Sequence, residues 1–335
     1  MTNLDDDHID WGGFGRPLFE DAAAMGLGRV GVIDVGSNSV RMVVFDGAAR
    51  SPAYFYNEKI MCALGAGLSE TGHLNPTGRV RALSAIRRFA ALAEGMGITP
   101  LTAVATAAVR EASDGMAFRE EVLRETGIKI WIIDGREEAR LSAQGVLLGW
   151  PGSYGLVCDI GGSSMELADL AEGRVGKRVT SALGPLKLLE IRGGKRAVKD
   201  YVRTTMADLH VQMGAETAMR LFLVGGSWRA IARIAMDRRG YPLTVLHEYR
   251  MTARQIGKTV KYIANTDPSE LRQRCGISES RMSLVPLASI VLKELIHVFK
   301  PKDVAVSSYG IREGMLYEQM PKELRERDPL IEACR

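Results

Sequence analysis

The alternation of apolar and polar residues predicts the same hairpin at two places in the chain. Residues 30–44 read VGVIDVGSNSVRMVV, and residues 157–167 read VCDIGGSSMEL. Each segment is an apolar run, an acid, a Gly/Ser turn and a second apolar run, a pattern typical of two strands joined by a tight turn. When Asp34 is set over Asp159, the two turns coincide. Each hairpin is therefore expected to place a carboxylate at the end of its first strand.

The elements predicted after each hairpin follow a common plan. Strands are predicted after the first hairpin at 53–64, 101–105 and 128–133, and after the second at 174–179, 221–224 and 304–307. Apolar positions at helical spacing predict helices from Asn75, from Asp134 to about Leu148, over 195–211, over 281–298 and beyond about 314. Residues 240–278 are predicted to be an inserted region of short helices and loops. Because strands and helices alternate twice in the same order, we predict an α/β protein of two similar halves.

The turns of the two hairpins are the first candidates for a binding site. Glycine allows close approach of a ligand, and successive N–H groups in a tight turn form a concavity that suits phosphate oxygens. The neighbouring acid suits a hydrated Mg²⁺. One such turn is usually only a turn, but a repeat at domain spacing implies two halves that direct both turns into one cleft. The candidate phosphate-binding residues are Gly36, Ser37, Asn38, Ser39, Gly161, Gly162, Ser163 and Ser164.

Three further positions carry candidate chemistry, each with a plainer alternative. Arg110 follows the strand 101–105, at the strand end where open α/β sheets bind ligands, although it could instead pair with a nearby acid on the surface. Glu137 and Glu138 lie in the first turn of the helix from Asp134, where the helix dipole alone favours acids, but that helix joins the two repeats. The pair Gly225-Gly226 opens a helix after a strand, and is either a third anion site or a tight turn.

Composition limits the remaining choices. A chain of 335 residues is long enough for two domains, and its 46% hydrophobic and 25% charged residues are ordinary for a soluble protein. The net charge of +4 gives no indication of a nucleic-acid partner. Four cysteines lack metal-ligand spacing, and we expect a reduced, cytoplasmic protein without a signal peptide. No apolar run is expected to span a membrane. Neither His247 nor His297 has a partner at metal-ligand spacing, which favours structural roles.

With these motifs in order, the chain resembles the exopolyphosphatase and guanosine pentaphosphate phosphohydrolase family. The resemblance covers about residues 29–320 and rests on both hairpins, the Arg110 helix, the segment Gly-Arg-Glu-Glu-Ala-Arg and the ending Gly-Ile-Arg-Glu-Gly-Met. That family belongs to the actin-like, sugar kinase and Hsp70 ATPase superfamily. The resemblance therefore implies duplicated actin-like, ribonuclease H-like α/β domains with mixed sheets and an interdomain cleft, in a short form that ends before the helical region of longer members.

The resemblance also assigns roles to individual residues. It makes the two turns phosphate loops, Arg110 a phosphate-binding arginine and Glu138 the catalytic glutamate. Asp159 and Glu166 match acids near a metal, which with Asp34 gives the predicted site for Mg²⁺ or Mn²⁺. The chain departs from the family where Ser163 replaces the third glycine after the second aspartate, so close backbone approach is less assured there.

The function expected from the resemblance is exopolyphosphatase activity, which releases orthophosphate from the end of inorganic polyphosphate. Guanosine pentaphosphate is the alternative substrate, while a superfamily kinase or a non-catalytic sensor of guanosine penta- or tetraphosphate is the rival function. The expected division is an N-terminal arm over 1–28, a first domain over 29–140 joined by a C-terminal helix over 314–330, and a second domain over 141–313. A homodimer is expected by analogy with the superfamily.

Overall fold

The computed structural model describes residues 28–47, 50–99, 101–214 and 219–328, which form two mixed β-sheets with helices on their faces. The predicted α/β class with two mixed sheets is confirmed. The arm predicted for residues 1–28 lies outside the described residues except for Gly28, and so does Cys334. Cys62, Cys158 and Cys275 are buried free thiols.

The first sheet has the strand order β3-β2-β1-β4-β5. Its strands are β1 (Val30–Val35), β2 (Ser39–Phe45), β3 (Tyr54–Met61), β4 (Leu101–Ala105) and β5 (Ile130–Ile132). The first three strands are antiparallel neighbours, whereas β1, β4 and β5 are parallel. The predicted hairpin is confirmed, and its register places Asp34 opposite Arg41. The helices of this half are α1 (Leu68–Thr71), α2 (Pro76–Gly95), α3 (Ala107–Glu111) and α4 (Gly115–Thr126).

The second sheet repeats this plan in the order β10-β11-β9-β6-β7-β8. Its strands are β6 (Gly155–Ile160), β7 (Met165–Ala171), β8 (Arg174–Ser181), β9 (Arg220–Val224), β10 (Arg250–Met251) and β11 (Asp303–Val306). Strands β6, β7 and β8 form the antiparallel part, and β6, β9 and β11 the parallel part. The short strand β10 adds an antiparallel edge. The internal repeat read from the sequence is therefore present in the topology of both sheets.

The remaining helices are α5 (Gly135–Gly149), α6 (Pro185–Leu189), α7 (Gly194–Met213), α8 (Gly226–Arg239), α9 (Ala253–Asn265), α10 (Pro268–Cys275), α11 (Glu279–Met282), α12 (Val285–Phe299), α13 (Ile311–Gln319) and α14 (Lys322–Arg325). The prediction of one continuous helix over 281–298 was wrong, because Pro286, near the start of α12, has no N–H to extend the preceding turn. The last long helix begins at Ile311, earlier than predicted, because the Glu313 carboxylate accepts the Gly310 N–H (2.8 Å) and caps it there.

Helix α5 lies between the two sheets. Leu141 and Leu148 pack with Val30, Val32 and other residues of the first sheet and the C-terminal helices, whereas Ala139, Ala143 and Val146 pack on Val157 and Phe222 of the second. A helix buried on two faces must be apolar nearly all round, which explains its run of small and aliphatic residues. The C-terminal helices α13 and α14 pack beside it on the first sheet. The domain boundaries proposed from the sequence stay a prediction.

The segment Glu279–Phe299 is long and apolar enough to cross a membrane by length and composition alone. The expectation that no run reaches this length was therefore wrong. Half of its most apolar window is buried within the protein, and Val285, Val291 and Leu295 belong to the core of the second half. Core helices of folded proteins pass the same test of length and composition.

Candidate active site

The two Gly/Ser turns meet at a single cleft. The same backbone hydrogen bond closes both of them, from Gly36 to Ser39 and from Gly161 to Ser164, each 3.0 Å long. The hydroxyls of Ser37 and Ser163 lie 3.5 Å apart, so the turns approach each other across the cleft. All eight turn residues named from the sequence line this space, which measures about 200 Å³. Ser163, in place of the expected glycine, thus has its hydroxyl next to the opposite turn.

Three of the predicted carboxylates line the same cleft. Asp34 and Asp159 lie at the ends of β1 and β6, and Glu138 lies in the first turn of α5. The side chain of Asp134 caps this helix by accepting the N–H of Glu137 (2.7 Å). The cap fixes the direction of the first turn, which leaves Glu138 only 5% exposed. Strands β1 and β6 both end at this cleft, so acids that are far apart in the sequence line the same space.

The pair Gly225-Gly226 is a tight turn that also borders the cleft. Gly225 has a φ of 112°, and a Cβ there would lie 2.5 Å from the carbonyl of Ile160. A Cβ on Gly226 would lie 1.7 Å from Nη1 of Arg281, so this guanidinium rests directly on the glycine backbone. Of the two readings made from the sequence, the structure shows the tight turn, and the third anion site stays a prediction.

Arg110 differs from the expectation that it would face the cleft. It is not one of the described residues that line the cleft, because its Nη1 donates to the carbonyl of Ile133 (2.8 Å). The same nitrogen lies 3.3 Å from Oε2 of Glu138. Burial and the charge of Asp159 raise the pKa of Glu138 to about 8, against the opposing effect of Arg110. Arg110 therefore acts on the glutamate in this structure and touches the cleft only through it.

Glu166 lies behind the cleft, directly across the second hairpin from Asp159. Its side chain is 1% exposed, and Oε1 accepts a hydrogen bond from the Thr180 hydroxyl (2.9 Å). Within the described part of the chain, Oε2 is buried without a partner. Burial, together with the charges of Glu138 and Asp159, raises the pKa of Glu166 well above its usual range.

The acids of the site have the chemistry to hold a hydrated cation. Burial raises the pKa of both Asp34 and Asp159, although Arg312, 4.0 Å from Asp34, and the Ser142 hydroxyl, which donates to Asp159, act in the opposite direction. Like charges so close together favour either shared protons or a bound positive ion. Within residues 28–47, 50–99, 101–214 and 219–328, however, no group of three or more His, Cys, Asp or Glu side chains could enclose an ion directly. The orphaned oxygen of Glu166 and the carboxylate chemistry fit an ion that keeps several waters, as Mg²⁺ does.

Sequence reasoning missed the basic half of the site. Five cations line the cleft and come from five elements or segments: Arg41, Lys59, Arg229, Arg281 and Arg312. Burial and the four arginines lower the pKa of Lys59 to about 8, and burial and Arg312 lower that of Arg229 to about 10. Local signals existed for three of them: Arg41 follows the first turn closely, Arg229 follows Gly226, and Arg312 belongs to the ending Gly-Ile-Arg-Glu-Gly-Met. Lys59 and Arg281 carried no such signal.

The arrangement suits a polyanion whose phosphates are contacted from both sides. Backbone turns, a helix beginning and five cations can neutralise phosphate oxygens. A buried glutamate beside them can exchange a proton with a water molecule. Two mixed sheets with duplicated topology around such a cleft form the fold that the resemblance to the actin-like superfamily predicts. The sequence model of the Ppx/GppA phosphatase family matches residues 43–323, and the chain belongs to that family. The predicted class of enzyme, a hydrolase of phosphoanhydrides, is confirmed.

The chain is similar over most of its length to proteins of known structure or curated function. Exopolyphosphatase 1 of Mycobacterium leprae is 24% identical over 309 residues, which cover 88% of this chain and 90% of that protein. The crystal structure of an exopolyphosphatase from Cytophaga hutchinsonii has a TM-score of 0.79 at 23% identity, covering 87% of this chain and 97% of that one. The Aquifex aeolicus family member has a TM-score of 0.76 at 22% identity, covering 90% and 100%. These two structures share the fold described above.

Proposed function

We propose that this protein is an exopolyphosphatase, which hydrolyses the terminal phosphoanhydride of inorganic polyphosphate. The observation that carries the proposal is the convergence of five cations on two phosphate turns in one cleft. These positive charges lie so close together that the pKa values of Lys59 and Arg229 are lowered. Such a group is suited to bind a ligand with a similarly high density of negative charge. The names of the relatives, exopolyphosphatases from Mycobacterium leprae and Cytophaga hutchinsonii, agree with this substrate.

In the proposed reaction the protein neutralises the phosphates and positions a water molecule. The N–H groups of the two turns and the guanidinium groups of Arg41, Arg229 and Arg281 bind the phosphate oxygens. Glu138 accepts a proton from the water as it attacks the terminal phosphorus. The orthophosphate leaves as the bond to the bridging oxygen breaks.

A divalent cation fits beside Asp34, Asp159 and Glu166, held mainly through water. When bound, it would supply positive charge to the phosphate oxygens and to the surrounding carboxylates. Burial and the charge of Asp159 raise the pKa of Glu138 even with Arg110 beside it, so a cation bound nearby would further favour the ionised glutamate. Arg110, 3.3 Å away, favours the ionised form that the reaction requires. We therefore assign Arg110 to the support of Glu138, and the direct phosphate binding implied by the family resemblance stays a separate prediction.

The second candidate substrate is guanosine pentaphosphate, which presents a similar phosphate terminus. Among the described residues that line the cleft, none is aromatic, so no stacking platform for a purine is evident there. A kinase that places adenine on Gly225-Gly226 is disfavoured as well, because the Arg281 guanidinium already covers Gly226. Both observations favour a substrate without a base.

The decisive experiment compares substrates on the purified chain. Inorganic polyphosphate, guanosine pentaphosphate and ATP with a sugar acceptor are each incubated with Mg²⁺, and released orthophosphate and phosphorylated sugar are measured. We expect orthophosphate mainly from polyphosphate. A preference for guanosine pentaphosphate would move the assignment to the second candidate, and binding without release from any substrate would favour a sensor.

A further inference from the structure

The main chain of Ser308 is held from both sides at the edge of the cleft. Nη1 of Arg229, one of the five cleft cations, donates to the Ser308 carbonyl (3.3 Å). On the other side, the Ser308 N–H donates to Nδ1 of His247 (3.2 Å). Ser308 itself lines the cleft, and so do residues 310–312, which include Arg312. The histidine thus connects the inserted region 240–278 to two cleft cations without entering the cleft.

The ring of His247 has little freedom to leave this position. It lies between Trp150, with 4.5 Å between ring centroids, and Tyr309, with 4.6 Å. A Cβ added to Gly149 would lie 3.0 Å from Nε2, so the end of α5 packs directly against the ring edge. The neighbouring backbone is also fixed, because the Glu248 N–H donates to the Val306 carbonyl of β11 (3.0 Å).

We propose that neutral His247 is a positioning residue, which accepts the Ser308 N–H and so holds Arg229 and Arg312 in place for the phosphates of the substrate. The inference rests on the proposed function for the identity of that substrate. A backbone N–H can donate to Nδ1 only when this nitrogen is unprotonated, which requires the tautomer with hydrogen on Nε2. If Nδ1 were protonated, its N–H would face the Ser308 N–H, and the hydrogen bond between them would be lost.

The groups around the ring determine the pH at which Nδ1 of His247 becomes protonated. Burial lowers the pKa of His247, while the carboxylates of Glu248 on its own segment and Glu313 on α13 favour the charged ring. The partners that stack on it, Trp150 from α5 and Tyr309, are neutral at physiological pH, and burial raises the pKa of the Tyr309 phenol further. The charged group on the other side of Ser308 is Arg229, which contacts its carbonyl. The cleft should therefore keep its geometry at neutral pH and lose it in acid.

The first test follows the ring itself and needs no substrate. The chain contains five histidines, so comparison of ¹⁵N-labelled wild type with His247→Asn assigns the His247 signals. We expect an Nε2–H tautomer whose Nδ1 titrates below the usual range of a histidine. A ring that carries its proton on Nδ1 at pH 7.5 would overturn the proposal, whether or not the protein hydrolyses polyphosphate.

The second test measures affinity for inorganic polyphosphate by calorimetry in chelator, at pH 7.5 and 5.5. His247→Phe keeps a ring for stacking but has no acceptor, and should weaken binding about 3- to 10-fold at pH 7.5, the effect of losing one net hydrogen bond. His247→Asn restores an acceptor near the place of Nδ1 but does not titrate, so it should bind more tightly than His247→Phe. Its affinity should also change less between the two pH values than that of the wild type.

The control is His297→Asn, on the exposed side of α12 and outside the cleft, which should match the wild type at both pH values. Equal affinities of His247→Phe and wild type, or an unchanged acid loss in His247→Asn, would refute the positioning role. A wild-type protein that binds no polyphosphate would instead refute the proposed function, and the tautomer measurement would still decide the role of His247.

Discussion

Glu137 and Glu138 are neighbours in the sequence but lie in different surroundings. Glu138 is buried against Arg110, whereas both oxygens of the partly exposed Glu137 accept hydrogen bonds from Arg140 (2.8 and 2.6 Å). If Glu138 is the base, Glu138→Gln keeps its size but cannot accept the proton. We expect kcat for polyphosphate to fall by at least about 10²-fold with affinity retained, measured by orthophosphate release.

The matched control is Glu137→Gln, which removes a charge one position away and outside the described lining of the cleft; it should leave kcat within about twofold because Arg140 keeps its ion pair with Glu318. Loss of turnover in Glu137→Gln with normal turnover in Glu138→Gln would shift the assignment by one residue. Normal turnover in both variants would place the base elsewhere and favour the sensor function.

Arg110 offers a second test on a single side chain. Because its guanidinium lies against Glu138 and the Ile133 carbonyl, outside the lining of the cleft, Arg110→Ala should mainly lower kcat, by about tenfold or more. A variant whose KM rises while kcat is kept would show that Arg110 turns into the cleft and binds phosphate directly. Steady-state kinetics over a range of polyphosphate concentrations separates the two results.

Lys59 should give polyphosphate binding a pH dependence. Its pKa of about 8 lies below the usual value for lysine because of burial and of Arg281, Arg41, Arg229 and Arg312. Bound phosphate favours the charged ammonium, so its contribution is present below about pH 8 and lost as the pH rises through that value. We expect KM to rise about tenfold from pH 7 to 9. Lys59→Arg stays charged and should show a flatter profile; an unchanged profile would assign the effect to another group.

Among the helices, the crossing of α5 and α13 controls how the two halves meet. A Cβ on Gly314 would lie 1.8 Å from the Leu141 carbonyl, and one on Gly145 would lie 2.2 Å from the Gly310 carbonyl. Gly314→Ala must therefore push the helices apart, and should lower the free energy of unfolding by about 1 to 3 kcal/mol. Because α5 also carries Glu138, activity of the folded variant should fall too.

Gly257, inside α9, is the control for this change. Nothing lies within 4 Å of a Cβ at that position, so Gly257→Ala should raise the free energy of unfolding by about 0.5 to 1 kcal/mol through helix propensity alone. Urea unfolding of both variants makes the comparison. Equal stability of Gly314→Ala and wild type would contradict the close crossing.

For the molecule as a whole, a divalent cation is expected to couple the two halves of the site, because its carboxylates come from both hairpins. Chelator should abolish orthophosphate release, and added Mg²⁺ or Mn²⁺ should restore it. Binding of polyphosphate should persist in chelator, since the five cations and both turns remain. Full turnover in chelator would remove the metal from the proposal.

The sequence alone determined the repeated hairpins, the α/β class and most of the acids and turns at the site. These features are local: a Gly/Ser turn between apolar runs sets its own geometry, and the strand that precedes it sets where the acid lies. The start of α5 was equally local, because Asp134 caps a turn that belongs to its own helix. The hairpins could therefore be recognised without knowing what packs against them.

Only the tertiary structure decided which charges face each other. Lys59 on β3 and Arg281 on α11 are separated by most of the chain, yet they lie close enough for each to act on the other's charge. Arg110 lies against Glu138 for the same kind of reason, since the two helices that carry them, α3 and α5, were placed by core packing. The break between α11 and α12 and the early start of α13 also depended on one proline and one cap, which the apolar pattern does not record. Long-range pairs of this kind follow from how helices and sheets pack, and that packing is shared among many residues instead of being encoded at the positions that meet.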